Sequence, residues 1–186
     1  VEGVLPDAVA YPYFDRTLGD AFVKESELFF DSIVREDHKV TDLLTADYSF
    51  VNERIARHYG IPNISGNAFR RVTLPAERRG ILTHGSVLVL TSLADRTSPV
   101  MRGKWVMEVI MGSPPPPPPP GVPAFEETNG EASGKLLSVR ERMEQHRSNP
   151  QCMSCHRVID PLGLALENFD VTGKWRIKDS GVPVDP

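Results

Sequence analysis

The sequence predicts a mostly α-helical fold with a polyproline II strap. Three observations predict it. Apolar residues recur at three- and four-residue spacing in several segments, capping and stop residues bracket those segments, and no alternating pattern of useful strand length occurs. The chain has 186 residues, 40% of them apolar, which is enough for a core and suits one domain of roughly 100–200 residues or one plus part of another. No run approaches the ~18–20 apolar residues of a membrane span. The 21 basic residues are outnumbered by 25 acidic ones and form no stripe, which argues against nucleic acid as a partner.

From Asp15 to Arg35, Leu18, Phe22, Leu28, Phe29 and Ile33 give the stripe of one long amphipathic helix. A short helix fits Val40 to Leu44, and another runs from about Ser49 through Ile55 to Tyr59, stopped by Gly60 and Pro62. Helical spacing returns from Ala76 to Thr91, with Ile81, His84 and Leu88 on one face. Ser98 and Pro99 cap and open a helix that carries Trp105 and ends at Gly112.

Pro114 to Pro120 is an unbroken proline run, a polyproline II rod of roughly 20 Å at about 3.1 Å per residue. Its stiffness suits a strap between flanking helices, and recognition by a proline-binding domain is the other reading. Phe125 to Gly134 is an acidic loop, and a helix then runs from Leu136 through Met143 and His146 to Asn149 and Pro150. Asp160 and Pro161 repeat the pattern of a cap followed by proline, opening a helix with Leu162, Leu166 and Phe169 inward.

Both cysteines of the chain fall in Cys152-Met153-Ser154-Cys155-His156, the C-x-x-C-H signature of covalent c-type haem attachment. On one helical turn two thiols reach vinyl groups at one porphyrin edge, and the next residue offers its imidazole to the iron. A thioredoxin-type disulfide wants a βαβ setting that is missing here. Zinc needs further ligands than His146 supplies, and a disulfide across two residues closes too small a loop to constrain the unfolded chain. A backbone carbonyl near Asp160 or Pro161 is the expected acceptor for the second ring nitrogen of His156.

The segments LLTADYSFVNERIARHYG (43–60), RGILTHGSVLVLTS (79–92), RTSPVMRGKW (96–105), the proline run and EQHRSNPQCMSCHRVIDPLGLALENFDVTGKWR (144–176) together resemble the planctomycete-type c cytochromes. Those are large bacterial proteins that string together domains of unknown function and end in a haem-c domain. The resemblance implies an exported haem protein, periplasmic or extracellular, because attachment to C-x-x-C-H takes place outside the bacterial cytoplasm. It supplies no reaction.

No histidine or methionine follows His156, so a second iron ligand must lie upstream. His146 shares a helical face with Met143 and is retained in the family pattern. His84, on the apolar face of a separate helix, and Met101, Met107 or Met143 are the alternatives, as is an open position. His38 and His58 read as hydrogen-bonded core residues. Arg96, Arg102, Trp105, Trp175 and Arg176 are candidates to bind haem propionates, with Arg102, Trp175 and Arg176 foremost; ordinary salt bridges and packing are the other reading. Asp42, Asp47 and Glu53 are placed as caps and solvated faces.

The expected organisation is a helical segment over 1–75 that ends a preceding domain, a compact haem-c domain over 76–176 with the strap at 114–120, and the start of a further segment at 177–186. The chain begins without methionine and ends on a polar stretch, which reads as a piece of a longer protein. The expected function is electron transfer by one covalent haem c to a redox partner protein or fused domain. The alternative is a peroxidase-like oxidoreductase with an open or displaceable iron position.

Overall fold

The structure, a computed structural model, describes residues 5–117, 137–148 and 150–186. The chain is mostly helical, as the periodicity predicts, and it forms two compact units. The first comprises residues 1–97 with 169–175, and the second 98–168 with 176–186. No helix among the described residues is long and apolar enough to cross a membrane.

The first unit is organised by α1 (Arg16–Arg35), which starts where Asp15 caps it by accepting the Leu18 N–H at 2.9 Å. Its inward stripe of Leu18, Ala21 and Phe22 packs with Val51, Ile55, Ala56 and Val89, and Phe29 and Ile33 continue it against Ala46. After the short α2 (Asp42–Thr45), the residues expected to begin a helix at Ser49 form a strand instead, β1 (Tyr48–Val51). It pairs antiparallel with β2 (Arg70–Thr73) in the register Tyr48 to Thr73 and Val51 to Arg70. Each strand is only four residues long, too short for the alternation to register in the sequence. Helix α3 (Glu53–Tyr59) starts after the strand, capped by Asn52, and stops at Gly60 in the left-handed conformation.

The single helix expected over 76–91 is broken. A 3-10 turn at Ile81–Thr83 is followed by His84 in extended conformation, and only Gly85–Leu90 forms a helix, α4. Thr83 Oγ1 donates back to the Gly80 carbonyl at 3.0 Å, one of the local bonds with which threonine competes against a helix.

In the second unit α5 (Pro99–Trp105) opens as expected, with Ser98 as cap, and continues as a π-helical turn at Val106–Ile110. Helix α6 (Val139–Arg147) begins at a reciprocal capping box of Ser138 and Glu141. It ends at Arg147, ahead of Pro150 as expected, and Pro150 opens the next helix, α7 (Pro150–Leu164). This helix continues through Pro161, so the new start expected at Asp160 is absent; the proline leaves one ladder bond unmade there. A hairpin of β3 (Lys178–Asp179) and β4 (Val182–Pro183) turns on Ser180 and Gly181, both at positive φ. The strap at Pro114–Pro120 lies partly outside the described residues, and the helix start at Leu136 and the acidic loop Phe125–Gly134 wholly so.

Helices α5 and α7 touch backbone to backbone at two glycines. A Cβ on Gly103 would stand 2.0 Å from the Ile159 carbonyl oxygen, and one on Gly163 would stand 1.8 Å from that of Pro99. Gly to Ala inside a helix ordinarily stabilises by about 1 kcal/mol. Here Gly103→Ala and Gly163→Ala are each expected to destabilise by about 1–3 kcal/mol or more, because backbone cannot move aside as a side chain can. Urea unfolding of the two variants checks this; a gain in stability at both positions would contradict the close approach.

Candidate functional site

Helix α7 carries Cys152, Cys155 and His156 on one turn. Both thiols are partly exposed and neither is in a disulfide. His156 Nδ1 lies 2.8 Å from Asp160 Oδ1, one helical turn on. The partner is thus the side chain of Asp160 and not a nearby carbonyl, since the continuous helix engages the backbone there. Among the described residues no hydrogen bond to His156 Nε2 occurs, which leaves that nitrogen as the available donor atom.

Asp160 is 0% exposed. Its second oxygen, Oδ2, has no hydrogen bond among the described residues and faces Arg147 Nε, in the last turn of α6, at 3.7 Å. One residue earlier, His146 meets His156 edge to face, with ring centroids 5.1 Å apart and planes at 74°. Burial, then the neighbouring His156, pull the His146 pKa below the ordinary imidazole value, with Asp160 acting the other way. Of the expected methionine alternatives, Met143 is buried in α6, Met101 is exposed on α5 and Met107 lies in the π-helical turn.

Two unpaired thiols one turn apart, followed by an imidazole whose Nδ1 is held and whose Nε2 is open, form a donor set that fits a covalently attached haem. Among the described residues no group of three or more His, Cys, Asp and Glu side chains is arranged to hold a bare metal ion.

The other expected binding residues are engaged elsewhere. Arg102 is wholly buried and donates to the Leu166 carbonyl at 2.7 Å and to Glu167 Oε1 at 3.1 Å. Arg176 holds the other oxygen of Glu167 at 3.1 Å and pairs with Asp179 at 3.0 Å. Their guanidinium groups bracket a carboxylate of the chain itself, Glu167, in the manner of the salt-bridge reading, and the sequence reading passed over that carboxylate. Trp175 packs edge to face on Phe169 at 5.1 Å within the first unit.

His84 is buried in the first unit with both ring nitrogens near hydroxyls, Nδ1 at 3.0 Å from Ser26 Oγ and Nε2 at 3.4 Å from Ser49 Oγ. Burial, reinforced by Arg78, pulls its pKa down to about 3. It stands in extended conformation at the N-cap of α4, not on the helical face expected, and its ring serves a polar network in that core. His58 is buried as expected, its Nε2 2.9 Å from the Thr172 carbonyl, and desolvation lowers it to about 4. His38 is instead at the surface between Glu36 and Asp42.

The network around His84 contains Glu25, which interrupts the apolar stripe of α1. Glu25 accepts from Ser49 Oγ at 2.8 Å and from Tyr59 Oη at 2.7 Å, and Arg78 lies over the Tyr59 ring at 3.8 Å.

The arrangement is that of a helical protein whose distinguishing chemistry is one C-x-x-C-H turn backed by a carboxylate. The family model PSCyt3, a protein of unknown function (DUF1588), matches residues 78–179, more than half of the chain, and the chain belongs to that family. Residues 1–61 match a second model, PSD4, also a protein of unknown function (DUF1592). Both are planctomycete cytochrome-type domain families. No curated protein and no solved structure matches the chain.

Desolvation raises the Glu25 pKa from 4.5 to about 7, so the folded chain retains that proton in a range where the unfolded chain releases it. The contribution of Glu25 to stability is therefore full below pH 4.5 and is lost as pH rises towards 7. Urea unfolding at a series of pH values is expected to show the native chain losing stability relative to Glu25→Gln across that window. A constant difference between the two would contradict it.

Proposed function

We propose that this chain is a c-type cytochrome module of an exported bacterial protein, carrying one covalent haem c and passing electrons to a redox partner or fused domain. The observation that carries the reading is the C-x-x-C-H turn of α7, with unpaired thiols and with His156 Nδ1 fixed by Asp160. The bound haem supplies a one-electron ferric/ferrous couple. Cys152 and Cys155 would hold it covalently through two thioethers. His156 would offer Nε2 to its iron, while Asp160 keeps the ring in one tautomer and orientation.

His146 is the proposed second ligand. It already contacts His156, whereas His84 is enclosed by Ser26, Ser49 and Phe29. Two imidazoles leave no room for a substrate, and this favours electron transfer over peroxidase-like chemistry. The location outside the cytoplasm follows from the attachment chemistry and the family resemblance.

Three variants test the reading. Cys152→Ala/Cys155→Ala is expected to lose all haem signal on a denaturing gel; a retained signal refutes attachment there. His146→Ala is expected to turn the low-spin ferric spectrum high-spin and to let carbon monoxide bind the reduced form. His84→Ala is expected to keep the low-spin spectrum and lose about 1–3 kcal/mol of stability. The opposite pattern between His146 and His84 would reverse the assignment, and a native chain that binds carbon monoxide or reacts with peroxide would favour the enzyme.

A further inference from the structure

The sequence pointed to a backbone carbonyl behind His156, and the helix puts a buried carboxylate there instead. We propose that Asp160 is a positioning residue that strengthens His156 as an iron donor and holds the haem at a low reduction potential, with Arg147 as its counterweight; this rests on the haem reading above.

The Asp160 carboxyl group is removed from water, with Oδ1 2.8 Å from His156 Nδ1 and Oδ2 without a hydrogen bond among the described residues. A buried carboxylate with one oxygen unsatisfied costs stability, so packing alone gives no reason for it. Among the described residues its side-chain hydrogen bond is to the ring nitrogen that a haem ligand turns away from the iron. A carboxylate accepts that N–H more strongly than a neutral carbonyl does, and the bond raises the basicity of the opposite nitrogen.

Reduction adds one electron to the iron and forms or breaks no bond. A stronger donor and a nearby negative charge therefore both favour the ferric form. Arg147 acts in the opposite sense. Its Nε is 3.7 Å from Asp160 Oδ2, within ion-pair range but beyond a hydrogen bond, so it offsets part of the charge without taking the carboxylate from His156. The two side chains reach the same carboxylate–imidazole pair, Arg147 from the end of α6 and Asp160 from α7.

The test uses the full chain, matured with haem, as the native form, Asp160→Asn and Arg147→Gln. Covalent haem is checked first on a denaturing gel, and midpoint potentials are then measured by spectroelectrochemical titration with mediator dyes. Asp160→Asn, which keeps the size but not the charge, is expected to shift the potential upwards; Arg147→Gln is expected to shift it downwards. A purely structural role would not give opposite signs. Potentials that stay at the native value, or that move in the same direction, overturn the proposal. If Asp160→Asn fails to mature, Arg147→Gln decides alone: a lowered potential supports the proposal and an unchanged or raised one overturns it. A native chain without covalent haem refutes the haem reading itself, and that outcome is read before any potential.

Discussion

Where two helices meet through glycine, the backbones come closer than any side chain allows, and what flanks the contact is then fixed in position. In the second unit α5 and α7 meet this way at Gly103 and Gly163. Arg102, next to the first glycine, is thereby buried entirely and finds its charge partner in Glu167, just beyond the end of α7. Arg176 closes on the other oxygen of the same carboxylate. The costliest member of the triad to lose is Glu167, because the carboxylate facing the buried Arg102 guanidinium goes with it. It holds the C-terminal end of α7, while the capping box of Ser138 and Glu141 sets the start of α6 and so the turn that presents His146.

The first unit solves a different problem. Its longest helix carries an ionisable residue in the middle of its apolar face. Glu25 is accommodated because β1 supplies Ser49, α3 supplies Tyr59, and Arg78 lies against that tyrosine. Polar contacts between elements distant in sequence specify a register that apolar contacts alone would leave loose.

Much of this organisation was legible in the sequence, and the rest was hidden for identifiable reasons. Asp15, Ser98 and Gly60 act locally, through bonds to backbone a few residues away, so the helix ends at these positions can be read from neighbouring letters, whereas the cap at Asn52 was masked by the short strand before it. The C-x-x-C-H turn is equally local. Asp160 was misread for the converse reason: Asp-Pro is a strong helix start in isolation, and only the tertiary setting keeps α7 continuous and directs the carboxylate to His156. The spacing of four between the two residues was the available signal. The roles of Arg102 and Arg176 depended on Glu167, whose burial no local pattern announces. His84 stands at the N-cap of α4 and not on the helical face its spacing suggested, and that spacing does not reveal which hydroxyls β1 and α1 bring to it.

The order of residues along the chain has a consequence for how the molecule comes into being. Phe169–Trp175 belong to the first unit, where the carbonyls of Thr172 and Gly173 receive His58 and Arg78. Translation delivers the N-terminus first. Cys152, Cys155 and His156 are therefore polymerised before the last piece of the N-terminal core exists. The two thiols leave the ribosome while His58 and Arg78 still lack their acceptors, so the attachment motif precedes the completion of a unit that begins more than a hundred residues upstream of it.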